Sequence, residues 1–91
     1  MKVRWNRKAL FDLARVHAFL EPRSTALASR TIHMLSRAPA QLQTYPRMGE
    51  RLEGFESDEV RRLLVGDYEL RYQVDGEVIH VLRIWRQFED R

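Results

Sequence analysis

The spacing of apolar residues changes character along the chain. Through the first half they recur at three- and four-residue intervals, the signature of helices with one buried face. From Val60 onward they alternate with polar residues, the signature of strands. Lys2 to Trp5 reads as a short first strand. Asn6 is placed to cap a helix whose apolar line runs through Leu10, Leu13, Ala14, His17 and Leu20. Pro22 stops it, because the residue before a proline disfavours helical backbone. Ser24 caps a second helix with an apolar line through Ala28, Ile32 and Leu35. The connection is so short that the two helices should form an antiparallel hairpin. Arg23, Arg30 and Arg37 recur every seven residues and form a stripe on the second helix's opposite face. Pro39 should end or kink that helix, with Leu42 continuing the apolar line beyond it. Pro46, Gly49 and Gly54 punctuate a turn-rich connection.

Val60–Val65, Tyr68–Val74 and Val78–Trp85 are rich in β-branched and aromatic residues. Gly66-Asp67 separates the first two, and Asp75-Gly76, a type I′ hairpin signal, separates the second two. These segments predict an antiparallel meander. Along its middle strand Tyr68, Leu70, Tyr72 and Val74 share one face, while Glu69, Arg71 and Gln73 share the other. In the last strand His80 should point with Val78, Leu82 and Ile84. The expected class is α+β: an N-terminal strand and an antiparallel helix hairpin packed on a three- to four-stranded, mainly antiparallel sheet. Leu13, Ile32, Leu35, Leu70 and Leu82 should be buried between the layers.

Composition narrows the setting. The 91 residues suit one domain, spanning 1–91, with a small core. With no cysteine, disulfides and thiolate metal sites are excluded, which fits a reducing compartment. The N-terminal stretch has no apolar signal-peptide core, and no apolar run is long enough for a membrane-spanning helix. A cytoplasmic location is expected. Charge is segregated: residues 1–51 carry ten Lys/Arg and three Asp/Glu (+7), whereas residues 52–91 carry six Arg and ten Asp/Glu (−4). A basic half suits nucleic acid or an acidic protein segment. Fourteen of the sixteen cations are Arg, which favours bidentate pairing with carboxylates or phosphates.

Conventional catalytic signatures do not emerge. His17, His33 and His80 show no metal-ligand spacing, so no metal is expected. The serines lack a nucleophile-elbow context, and the isolated glycines form no phosphate loop, so no cofactor is expected. What remains is an arginine set: Arg61, Arg71 and Arg83 on the strands, with Arg86 and Arg91 beyond. Three readings fit it: cross-strand pairing with Glu59, Glu69 or Glu77; binding of a partner's carboxylates; or stabilisation of a phosphorane-like transition state.

At this point the chain resembles the RelE/ParE superfamily of bacterial toxins. Tyr45-Pro46-Arg47-Met48-Gly49-Glu50-Arg51 is similar to the family's proline–glycine turn after the second helix. The run from Val60 to Tyr72 resembles its central block, with Arg61, Tyr68 and Tyr72 at the matching positions. Val78–Trp85 followed by Arg86-Gln87-Phe88-Glu89-Asp90-Arg91 resembles the last strand and charged tail. The resemblance implies a toxin neutralised by a cognate antitoxin, whose C-terminal segment covers the helix hairpin and sheet. Antitoxin-binding candidates are Arg23, Arg30, Arg37, Arg61, Arg71, Arg83 and Arg86. RelE-like members cleave mRNA on the ribosome, whereas ParE-like members poison DNA gyrase. This chain departs from the ribonuclease pattern. Glu69 stands where that pattern has Arg, Arg86 stands where many relatives have His, and the tail holds no Tyr, His or Lys. Arginine stays protonated near neutral pH and transfers protons poorly. The ParE-like branch is therefore expected, with no catalytic residues. The alternative is a ribosome-dependent endoribonuclease built on Arg61, Glu69, Arg71 and Arg83.

Overall fold

The computed structural model describes residues 1–88. Strand β1 (Lys2–Trp5) leads into helix α1 (Arg7–Leu20) and helix α2 (Thr25–Arg37), followed by a 3₁₀ helix (Ala38–Gln43). Strands β2 (Glu50–Arg51), β3 (Glu59–Val65), β4 (Tyr68–Asp75) and β5 (Val78–Arg86) complete the chain. The sheet order is β1-β5-β4-β3-β2. β1 runs parallel to β5, and every other pairing is antiparallel. The α+β class is as expected. The two additional strands relative to the meander are β1, which joins the last strand, and the two-residue edge strand β2.

Helix boundaries follow local chemistry. Ser24 Oγ accepts the Leu27 N–H at 3.1 Å and caps α2, whereas Asn6 caps α1 by position without a side-chain bond. Pro39 falls at the start of the 3₁₀ segment, where its missing N–H costs no helical bond. Leu35, Leu42, Leu70, Tyr72, Ile79, Val81 and Ile84 make a fully enclosed core, and all four apolar residues expected on the inner face of β4 are buried.

Three expectations are corrected. First, α1 buries Ala9, Asp12, Val16 and Leu20, while Leu10, Ala14 and His17 are exposed and Leu13 is half-buried. The helix is rotated because a carboxylate, Asp12, lies on its inner face. Ile32 of α2 is likewise only partly buried, against the edge of the core. Second, Leu82 is not a core residue. The β4–β5 register slips so that Arg71 faces Arg83 but Tyr72 faces Val81, leaving Leu82 as the extra residue of a bulge. Ile79 and Val81 therefore point inward before the bulge, and Ile84 after it, while Val78, His80 and Leu82 are half-buried off the core. Third, Asp75 pairs with Val78, so the turn residues are Gly76 and Glu77. Gly76 has φ +58°, and no non-glycine residue has positive φ. Positive φ at the first central position alone is the type II′ pattern, not type I′.

Candidate functional site

The loop between the 3₁₀ helix and β2 is fastened to the sheet by Tyr72 and Arg61. Tyr72 OH donates to the Pro46 carbonyl at 2.8 Å and accepts the Gly49 N–H at 3.0 Å. Burial pushes the phenol above its ordinary pKa, which keeps the donating proton in place. Gly49 sits so close that a Cβ there would lie 2.6 Å from the Arg62 carbonyl oxygen and 2.8 Å from Tyr72 OH. Arg61 pairs in register with Tyr72, on the core side of the sheet. Its Nη1 reaches the Gly49 carbonyl at 2.7 Å, and its Nε holds Glu59 at 2.7 Å. The Arg61 bond holds the Glu59 carboxyl below the usual range, helped by Arg47 and opposed by partial burial. Arg61 therefore lies apart from Glu69, Arg71 and Arg83.

Those three share the open face of the sheet. Glu69 is only 1% exposed although it lies away from the helices. Its carboxylate meets Arg71 Nη2 at 3.0 Å and Arg62 Nη1 at 3.7 Å. Opposite Glu69 on β5 stands Trp85, with the guanidinium of Arg71 4.9 Å and that of Arg83 5.1 Å from its ring. Cation–π contact and ion pairing thus hold Arg71 from two sides. Sequence reasoning missed Arg62. The doublet Arg61-Arg62 occurs in a strand, so one member must face each way, but the sequence does not say which.

Arg83 is held differently. β1 pairs only with the first half of β5, through Trp5↔Val81, so beyond this point β5 has an open edge. α1 lies along it. Asp12 Oδ2 accepts the Ile84 N–H at 2.8 Å and Arg83 Nε at 2.9 Å, and Oδ1 accepts Arg83 Nη2 at 3.2 Å. Arg15 Nη2 approaches the Ile84 carbonyl at 3.5 Å. A helix side-chain pair thus replaces the missing strand, which explains a buried carboxylate on α1.

Next to this edge, Arg15, Val16, Phe19, Tyr68, Arg86 and Phe88 line a cleft of about 310 Å³. Its floor is apolar and its rim carries two arginines. Of the expected stripe, Arg23 falls outside α2, in the turn before it, and lies over the Phe19 ring at 3.9 Å, whereas Arg37 contacts His33 at 3.5 Å and Arg30 is exposed, both on the helix. His17 pairs with Glu21 at 3.0 Å, and His80 lies 3.6 Å from Asp75. Arg91 lies outside the described residues.

Two layers, an arginine-bearing open sheet face and an arginine-rimmed cleft are the features to set beside known proteins. The profile of the ParE toxin of type II toxin–antitoxin systems, parDE, matches residues 3–91, and the chain belongs to that family. Among solved structures, one described as the chromosomal ParDE toxin–antitoxin system from P. aeruginosa superposes with a TM-score of 0.77. It is 23% identical, with 94% of this chain and 95% of that chain covered, and so shares the fold. No curated protein sequence matches significantly. Among the described residues no helix is long and apolar enough to cross a membrane.

Proposed function

We propose that the protein arrests growth by acting on DNA gyrase, blocking replication without cutting RNA, and that a cognate antitoxin restrains it. The observation that carries this reading is the state of Glu69. Cleavage of RNA through its 2′-hydroxyl needs one group to take that proton and another to protonate the leaving oxygen. Glu69 is the carboxylate at the centre of the open face, yet it is enclosed and bonded to Arg71, with Arg62 behind it. Arg71 and Arg83 beside it bind charge but shuttle protons poorly. A protein-binding toxin needs neither proton step, and the reading calls for no metal or cofactor.

The antitoxin's contact region follows from shape and charge. An amphipathic, net acidic C-terminal segment would set apolar side chains in the cleft between α1 and the end of the sheet, with carboxylates toward Arg15 and Arg86. Arg23 in the turn before α2, with Arg30 and Arg37 on the helix, would steer it. Arg71 and Arg83 lie along its path across the sheet, whereas Arg61 is taken up by Glu59 and the Gly49 carbonyl. A protein acting on gyrase under an antitoxin's restraint would work in the cytoplasm.

The test incubates the purified toxin with programmed ribosomes and, separately, with gyrase and supercoiled DNA. The expected result is intact mRNA in the first reaction and stalled or cleaved DNA complexes in the second. Codon-dependent mRNA cleavage, lost on Glu69→Gln or Arg83→Ala, would overturn the proposal in favour of the endoribonuclease alternative.

A further inference from the structure

The beginning of the chain contains cations that the fold does not use. Lys2, Arg4, Arg7 and Lys8 precede the first acidic residue, Asp12. Among the described residues these four enter no ion pair. Lys2 and Arg4 are exposed on the outer side of β1, because Val3 and Trp5 face the core. Arg7 and Lys8 open α1 and line a recess of about 420 Å³ with Phe11, Asp12, Arg15 and Arg83. The carboxylate in that recess is already committed to Arg83 and the Ile84 N–H. Arg7 and Lys8 thus bring positive charge to the recess that has no ion-pair partner among the described residues.

In the middle of this charge stands an aromatic ring. Phe11 is 73% exposed. Lys8, Phe11 and Arg15 follow a three-then-four spacing and so share one helical stripe, and Arg7 lies one turn before Phe11. Lys8 and Arg15 are separated by about 10 Å along the axis, with the ring between them. Nothing in the core explains a ring at this position, since α1 packs inward through Ala9, Asp12, Val16 and Leu20.

We infer that this flank of α1, with Arg83 at its foot, binds single-stranded nucleic acid without sequence preference. Such a ligand presents phosphates and unstacked base faces in alternation, which matches cations interleaved with an exposed ring. Duplex DNA hides its base faces, and a chain of carboxylates alone offers no ring to stack on Phe11. The inference is independent of the gyrase reading, because it requires no enzyme and its tested side chains, Arg7, Lys8 and Phe11, lie outside the group formed by Glu69, Arg71 and Arg83.

The test measures fluorescence anisotropy of labelled oligothymidylate, oligouridylate and a DNA duplex with the purified full chain, over a range of salt concentrations. Single strands should bind, with log K falling against log salt by roughly 0.7 per phosphate neutralised. Joint Arg7→Gln and Lys8→Gln substitution should reduce that slope by about 1.4. Phe11→Ala should weaken binding about fivefold or more while leaving the slope unchanged. Arg51→Gln, on the far edge strand, should change neither. All these side chains are exposed, so thermal melts will show the variants folded. The relative affinities of the two single strands identify DNA or RNA as the source. The inference is overturned if single strands fail to bind, if Phe11→Ala has no effect, or if oligoglutamate binds as tightly as oligothymidylate.

Discussion

Gly49 and Gly76 are both required, for opposite physical reasons. Gly49 has ordinary backbone angles but no space: a methyl group would collide with the Arg62 carbonyl and Tyr72. Gly49→Ala should cost roughly 1–3 kcal/mol through overpacking, read as a lower midpoint in urea melts. An unchanged midpoint would mean that the Pro46–Gly49 loop is not held against Tyr72. Glu59 probes the same fastening through pH. Its folded pKa is lowered from 4.5 by the Arg61 bond, then by Arg47. The linked stability is therefore fully present above about 4.5 and lost as pH falls through the folded value. Glu59→Gln should remove on the order of 1 kcal/mol at pH 7 and flatten the acid limb of the stability curve. Parallel acid limbs for the two proteins would refute that assignment.

Between strands, the cost at Gly76 is conformational. It has φ +58° and nothing within 4 Å of an added Cβ. Gly76→Val should destabilise the β4–β5 hairpin by about 1–3 kcal/mol, because a β-branched residue resists that backbone. Denaturant melts matching the unsubstituted protein would place the turn elsewhere. The hairpin was legible in the sequence as glycine beside acidic residues, but its register was not: Asp75 belongs to the strand. The inner face of β4 was equally legible, since Tyr68, Leu70, Tyr72 and Val74 alternate without interruption. β5 was misread from its start because the bulge at Leu82 reverses the alternation, and only the pairing with β4 reveals it. In α1, Asp12 disguised the buried face. Its partner, the Ile84 N–H, becomes available only because β1 stops at Trp5, a tertiary fact absent from local periodicity. At the candidate site, Glu69 and Arg71 were legible from strand alternation, whereas bringing Arg83 opposite Arg71 and choosing between Arg61 and Arg62 required β4 to be registered against both its neighbours.

Across the molecule, the charge asymmetry of the sequence becomes an asymmetry of use. In the C-terminal half, Glu59 and Glu69 are drawn into ion pairs with strand arginines. The cations of β1 and the first turn of α1 find no such partners among the described residues, leaving positive potential at one end of the domain. The whole-molecule topology also bears on how the protein is made. β1 is the first element in the chain, and its partner β5 is the last strand. While a ribosome is still translating the chain, the N-terminal strand has nothing to pair with, and the Asp12 carboxylate has no strand edge to cap. The sheet cannot close until the β5 segment has emerged, so the first strand of a nascent chain waits unpaired while every other element is made.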